Sequence, residues 1–495
     1  MSAVEATEGT DPSPPGRARW IAGAVLAPLA FAVLWVAPLP LEAPAHRLVA
    51  IFAAVLIAWV TEVVPVAVTA LMIGPLLVLC GVTSAATAFR YYADPLLFLF
   101  VGGFMLAESM RRHGLDRRFA QAMVTLPFVR GVPLRMQIAM LAAAAVMSMW
   151  ISNTATCAIM MPILLGMPGL SRPTERSTVD PATGPLLALA YVCSTGGLGT
   201  LIGSPPNLIT VRLLAEAGVQ ISFLHWLAIG VPAAFVLTIA VAAITIRRGG
   251  KLPAEAMSSP LAAPHAWTRG EKITAFAFVT AVIGWTFPPF ADLAGVPFAG
   301  TLETLLHPGA VAVVACLPLF LLRDPARAVA GGDTPAVLPW SVAVRIDWGV
   351  ILLFGGGISL GAQLDQTGLA GVFSSGIVAA TGPADVWTLT AVVCVATVFI
   401  TEVTSNTASA NMLVPLVIAL ARELEVSPVP PALAVGLGAS AAFMLPIATG
   451  SNALAYGTGR VPQTAMMRSG IVLNLASIVL LLVLLRIICP LMGWV

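Results

Sequence analysis

Ser148-Met-Trp-Ile-Ser152-Asn153-Thr154-Ala155 returns in the second half of the chain as Thr401-Glu-Val-Thr-Ser405-Asn406-Thr407-Ala408. Each octet sits in the middle of a long apolar stretch, residues 136–168 and 385–420. A helix needs about 20 residues to cross the hydrocarbon of a bilayer. Both stretches are too long for one crossing, and both are polar where the hydrocarbon would be thickest. A re-entrant hairpin reconciles these facts: it enters, breaks at the polar triplet and returns on the same side. Broken backbone survives inside a membrane only where protein buries it or it lines a cavity. The octets therefore mark a candidate site.

Outward from them the repetition continues in the same order. Phe100-Val-Gly102-Gly103-Phe-Met-Leu106, with Gly114-Leu115 after it, answers to Phe354-Gly-Gly356-Gly357-Ile-Ser-Leu360 with Gly368-Leu369. Pro162 matches Pro415, and Gly203-Ser204-Pro205-Pro206-Asn207 matches Ala448-Thr449-Gly450-Ser451-Asn452. An odd number of expected spans separates the copies, so they run in opposite senses through the membrane. Inverted repeats built on broken helices characterise secondary transporters, whose site lies at the repeat interface near the midplane. A duplication without functional meaning would not single out polar residues in apolar surroundings.

Composition agrees. Of 495 residues 58% are apolar and 10% charged, with mean hydropathy +0.95, whereas a soluble domain carries roughly a quarter charged residues. The expected fold is an all-α polytopic membrane protein of about 11 transmembrane helices plus two re-entrant hairpins in inverted repeats. The expected organisation is a disordered cytoplasmic tail (1–19), a first helix (20–46), repeat 1 (47–246, hairpin about 136–168), a cytoplasmic linker (247–271) and repeat 2 (272–495, hairpin about 385–420). With the N-terminus inside, the positive-inside rule leaves only Arg47, Arg90, Arg212, Arg422 and Arg486 outside. Val495 then lies outside as well. The near-neutral charge of +2 gives no nucleic-acid signature. Cys80, Cys157, Cys193, Cys316, Cys394 and Cys489 fall in apolar runs without a CxxC and read as small hydrophobes.

Lone hydroxyl residues in membrane helices are commonly helix–helix glue, the reading given to Ser109 and Thr397. The repeated triplets differ because a helix must restart there. Helix N-terminal amides at a hairpin tip favour an anion, and unwound carbonyls favour a hard cation such as sodium. Ser148 and Ser152, like Thr401 and Ser405, are one turn apart and can aim two hydroxyls at one point. Gly203 and Ala448 stand at a second break, where their carbonyls can complete the cation shells. Pro205 and Pro206 bring no amide donor. No Lys or Arg lies near either triplet. An anion would be held by the cations and dipoles, which couples one solute to the other. Glu62, Glu108, Asp365 and Glu402 lie near segment ends and read as solvated, Glu402 beside Thr401 being the exception. His46, His113, His225, His265 and His307 read as interfacial. No HExxH or P-loop is present, so neither a membrane metalloprotease nor an ATP-driven pump is indicated.

At these positions the chain resembles the divalent anion:sodium symporter family of dicarboxylate, citrate and sulfate carriers. The resemblance rests on Trp59-Val-Thr-Glu62-Val-Val-Pro65, Ser148 to Thr156, Leu201 to Asn207, Thr401 to Thr407 and Phe443 to Thr449. It implies a homodimer in which a transport domain moves like an elevator against a fixed scaffold, in a bacterial-type inner membrane. It implies one sodium site of Ser148, Ser152, Asn153 and the Gly203 carbonyl, and a second of Thr401, Ser405, Asn406 and the Ala448 carbonyl. Substrate carboxylates would meet Asn153, Thr154, Asn406 and Thr407, with Ser204 and Thr449 nearby. The implied activity is symport of C4-dicarboxylates (succinate, malate, fumarate) with two or more sodium ions. A sodium-independent exchanger and a sulfate or tricarboxylate carrier are the alternatives. One departure stands out: the family usually has Thr-Pro-Pro-Asn where this chain has Thr449-Gly450-Ser451-Asn452.

Overall fold

The computed structural model describes residues 17–127, 129, 132–170, 180–248, 250–253, 255, 266–327, 334–381 and 384–495. Residues 1–16 of the expected tail, much of the expected linker and His265 lie outside the described residues. The described residues form helices joined by short turns, and none belongs to a β-strand.

The helices that matter for the site are α1 (Arg17–Val36), α2 (Ala43–Thr61), α3 (Val66–Leu79), α4 (Leu97–His113), α5 (Leu115–Val124), α6 (Pro133–Ser148) and α7 (Asn153–Leu165). Then follow α8 (Thr183–Gly196), α9 (Pro205–Glu216), α10 (Phe223–Arg247), α11 (Arg269–Leu293), α12 (Pro308–Ala315) and α13 (Trp348–Gln366). The last are α14 (Leu369–Thr381), α15 (Val386–Ile400), α16 (Asn406–Glu423), α17 (Val429–Gly438), α18 (Gly450–Gly457) and α19 (Gln463–Leu491). Among the described residues, seven helices are long and apolar enough to cross a membrane unaided. An eighth would be the pair Ala299–Leu305 and Pro308–Leu321, bent by 58°. Of the five shorter apolar helices among the described residues, α3 lies in the outer part of the molecule, whereas α6, α7, α15 and α17 each begin or end at a polar break. Those breaks surround the candidate site.

The repeated motifs take matching structural roles. Gly102 in α4 lets the backbone of Ala312 in α12 approach, and Gly356 in α13 does the same for Ala70 in α3. Small residues at these crossings permit the close packing on which membrane helices depend, since lipid gives them no hydrophobic drive to associate. Gly114 and Gly368 both adopt φ +72°, a left-handed turn natural to glycine, where α4 and α13 end and the short helices α5 and α14 begin.

At the centre lie α8 and α17. Every residue of α17 is buried, and all of α8 but Gly184. Each is the first half of a broken helix whose second half crosses to the other repeat: α9 packs on α16 and α17, and α18 packs on α7 and α8. The two breaks are thereby interlocked. Helices α10 and α19 close this inner body. Outside it, α3 packs on α13, and α4 packs on α11 and α12. A second apolar cluster, including Leu48, Trp59, Ile73, Leu353 and Leu360, joins α2 and α3 to α13.

Ser109 bonds Thr274 across α4 and α11 at 2.8 Å, the expected glue. Thr397 instead donates back to Val393 O in its own helix. His113 departs from the interfacial expectation. Its side chain is 2% exposed, 3.5 Å from Asp324 and bonded to Val337 O, because the start of α11 packs over it at Gly270. All six cysteines are free, five of them buried and Cys80 half-buried.

Candidate functional site

Two helix restarts frame the site. Helix α6 ends at Ser148 and α7 begins at Asn153, with Ser152 as its N-cap accepting the Ala155 N–H at 3.2 Å. In the second hairpin α15 ends at Ile400 and α16 begins at Asn406, and Ser405 accepts the Ala408 N–H at 3.1 Å. A serine at this position satisfies one of the orphan amides of a helix start. Ser152 and Ser405 thus have a local capping task that the spacing alone did not suggest.

One turn earlier, Ser148 Oγ lies 2.7 Å from Asn153 Oδ1 and 2.6 Å from the Cys193 carbonyl. Thr401 Oγ1 lies 2.9 Å from Asn406 Oδ1 and 2.8 Å from the Ala439 carbonyl. Each hydroxyl has one proton for two oxygens. Gly197 crowds this corner further: a methyl group there would collide with Asn153 Oδ1 and stand 2.9 Å from the Gly203 carbonyl. Ser148, Asn153 and Gly203 are therefore brought together, an oxygen-rich cluster of the kind a hard cation satisfies.

The second breaks are held by one device used twice. Asn207 Nδ2 donates to the Gly197 and Thr200 carbonyls at 2.8 and 2.7 Å. Asn452 Nδ2 donates to the Ala442 and Leu445 carbonyls, both at 3.1 Å. Both side chains are fully buried, and the Oδ1 of each has no hydrogen-bond partner. The turns that carry Gly203 and Ala448 are thus fixed from within.

The repeats differ where Met149 aligns with Glu402. The Met149 carbonyl accepts a hydrogen bond from Thr200. Glu402 is 4% exposed and takes the amides of Phe443, Met444 and Leu445 at 2.7–3.1 Å, with Asn474 Nδ2 at 2.7 Å. This carboxylate, expected near a segment end, is a buried staple of the second break. The other three keep arginine partners: Glu62 with Arg19, Glu108 with Arg111 and Asp365 with Arg422.

Contacts across the repeats complete the arrangement. Thr154 at the first tip packs against Gly450 at the second break, with no room for a methyl group between them. Ser204 Oγ meets Ser440 Oγ at 3.0 Å, and Ser194 Oγ meets Ser451 Oγ at 3.2 Å. Thr449 caps α18 by accepting the Asn452 N–H at 3.1 Å. Thr154 and Gly450 are exposed, while Asn153, Asn406, Thr407 and Thr449 are half-buried, so an entering solute can reach them. Ser204 faces Ser440 and is 2% exposed, so it supports the site from behind. Ser194, Ser440 and Asn474 escaped the sequence reading because each lies in an unremarkable apolar run.

Residues 18–495 match the family described as the sodium:sulfate symporter transmembrane region. An uncharacterized transporter of Haemophilus influenzae is 33% identical over 449 residues, covering 90% of this chain and 92% of that protein. A sodium-dependent dicarboxylate transporter of Staphylococcus saprophyticus is 31% identical over 449 residues, covering 87% and 84%. Its Staphylococcus aureus (strain USA300) counterpart is 28% identical over 492 residues, covering 96% and 92%. Among solved structures, the Alcanivorax borkumensis YdaH transporter aligns with TM-score 0.49 at 17% identity, over 80% of this chain and 86% of that one. With nearly its whole length matched, this helical membrane chain belongs to the sodium:sulfate symporter family of transporters and is not an enzyme.

Proposed function

We propose that this protein is a sodium-coupled symporter of C4-dicarboxylates such as succinate, malate and fumarate. The observation that carries the reading is the paired oxygen clusters at the two restarts, Ser148 with Asn153 and Gly203, and Thr401 with Asn406. The sodium-dependent dicarboxylate transporters named above support the choice of ion and substrate. One sodium ion would take Ser148, Ser152, Asn153 and the Gly203 carbonyl. The other would take Thr401, Ser405, Asn406 and the Ala448 carbonyl. A dianion between the tips would meet Asn153, Thr154, Asn406, Thr407 and Thr449, aided by the N-terminal ends of α7 and α16. Without a basic side chain at the tips, the dianion depends on the cations for its countercharge. That dependence is the coupling.

In this reading residues 47–246 and 272–495 are the two inverted repeats, the N-terminus is cytoplasmic and the C-terminus outside. The inner body of α6–α10 and α15–α19 rides as an elevator against an outer scaffold in a homodimer. The test is radiolabelled succinate uptake into proteoliposomes with and without an inward sodium gradient. Sodium-driven uptake blocked by excess malate, and abolished in both Asn153→Ala and Asn406→Ala, is the expected result. Uptake that needs only an internal counter-anion would make the protein an exchanger. Transport of sulfate or citrate in place of succinate would trace to Gly450 and Ser451, which replace two prolines.

A further inference from the structure

We propose that the cleft between α5, the first hairpin and α11 binds a phospholipid with an anionic headgroup, and that this lipid bears on the residues flanking Ser148. The cleft has a volume of about 350 Å³ and an almost wholly apolar lining. Its walls are Leu115 and Phe119 of α5, Met147 and Trp150 of the hairpin, and Trp267 and Phe278 before and within α11. Phe119 and Trp267 are 36% and 50% exposed. These apolar surfaces face an opening that no other part of the described chain fills.

Charge selects the occupant. At the mouth the Arg118 guanidinium lies 4.7 Å above the Trp267 ring and 2.8 Å from Glu271. Arg117, next to Arg118 in sequence, and Arg269 and Lys272, on either side of Glu271, are exposed and add cations to those that the acids neutralise. The acids here are spoken for: Glu108 bonds Arg111, Glu271 bonds Arg118, and Asp116 is buried. An amphipathic helix with cations on one side and an apolar cleft on the other suits one ligand, an acyl chain beneath an anionic headgroup.

The cleft also touches the transport machinery proposed above. Met147 and Trp150 stand on either side of Ser148, whose hydroxyl meets Asn153. Trp150 packs edge-on against Phe278 at 5.0 Å and lies parallel to Trp285 at 6.5 Å. An acyl chain filling the cleft steadies this tip, whereas an empty cleft leaves one side of Trp150 unsupported. The effect on sodium rests on the function proposed above; the binding of lipid does not.

The test uses the full chain purified in mild detergent. Native mass spectrometry with added phosphatidylglycerol or phosphatidylcholine reads binding, and proteoliposomes of the two lipids read the sodium concentration for half-maximal uptake. Phosphatidylglycerol should be retained over phosphatidylcholine and should lower that concentration severalfold. Ala122→Phe, which fills the cleft, should lose both effects. Lys272→Glu, at an exposed site, should fold as the parent and lose the headgroup preference. Equal retention of the two lipids, or full retention of phosphatidylglycerol by a folded Ala122→Phe protein, would overturn the site. Retention without any lipid effect on sodium would overturn the link to Ser148 and leave a merely annular lipid.

Discussion

Gly450 of the second repeat touches Thr154 of the first so closely that a β-carbon at Gly450 would collide with the threonine hydroxyl. The contact joins Thr154, proposed to meet the dianion, to the residue that follows Thr449, proposed to meet it as well. Gly450→Ala must push the tip of α7 or the start of α18 aside, and overpacking of this kind costs about 1–3 kcal/mol. The expected result is a KM for substrate raised roughly tenfold or more with sodium dependence retained, as one factor of ten is about 1.4 kcal/mol. Steady-state uptake kinetics check it. Thr154→Ala in the same chain removes the colliding atom, so the double variant should fall short of the sum of the two losses.

Glu402 supplies the next expectation. Its carboxylate gathers three successive backbone amides and Asn474. Hydrogen bonds to a charged group are worth about 1.5–3 kcal/mol each, and buried donors left unpaired cost a comparable amount. Glu402→Gln keeps the shape but turns an amide NH2 toward donors. It should lower the melting temperature and weaken sodium activation more than substrate affinity, because the disturbed turn leads to Ala448. Asn474→Ala should do the same more weakly. Thermal melts and sodium titrations of uptake distinguish this from a loss confined to stability.

Much of this was legible in the octets themselves. Polar residues that repeat in the middle of over-long apolar stretches leave few folds open, and the restarts at Asn153 and Asn406 lie inside the expected hairpins. The parallel roles of Gly102 and Gly356 follow from the same repetition. The staple at Glu402 was not legible, because its partners are backbone amides, which carry no residue identity. The facing pairs Ser204–Ser440 and Thr154–Gly450 were hidden for another reason. They depend on α9 and α18 crossing to the opposite repeat, and local pattern does not encode that crossing. Capping by Ser152 and Ser405 was legible in principle, since serine before a helix start is its usual signal.

Asp180 and Arg460 tie the turn before α8 to the turn before α19 through two hydrogen bonds of 2.7 Å each. Partial burial pushes the Asp180 carboxyl up, but hydrogen bonds from Arg460 and the Ala182 N–H, with the guanidinium charge, leave it below the ordinary 3.8. A carboxyl depressed by folding stabilises the protein above its unfolded pKa, and the benefit disappears as pH falls through the folded value. Asp180→Asn should therefore melt a few degrees lower than the parent at neutral pH. The difference should shrink once the pH drops below 3.8. Melting curves in detergent across that range check the sign, and a gap that widens with acid would contradict it.

Arg212 of α9 binds Asp94, just ahead of α4, at 2.5 Å and also meets Glu216 at 3.0 Å. Arg422 of α16 binds Asp365 of α13 at 2.6 Å. Both pairs join the inner body to the outer helices, and both must part if the inner body slides. They differ in weight. Asp365 and Arg422 are 62% and 44% exposed, so water competes and the pair is worth at most about 1 kcal/mol. Asp94 is 6% exposed, and removing it leaves a half-buried arginine with one carboxylate in place of two. Asp94→Asn should release about 1–3 kcal/mol of the preference for this conformation, whereas Asp365→Asn should release little. Engineered cysteine pairs across the two bodies, crosslinked in liposomes, report the conformational populations. Asp94→Asn should reduce crosslinking in the arrangement seen here severalfold, with Asp365→Asn close to the parent. Equal behaviour of the two variants would show that the Arg212 pair carries no special share of the closed seam.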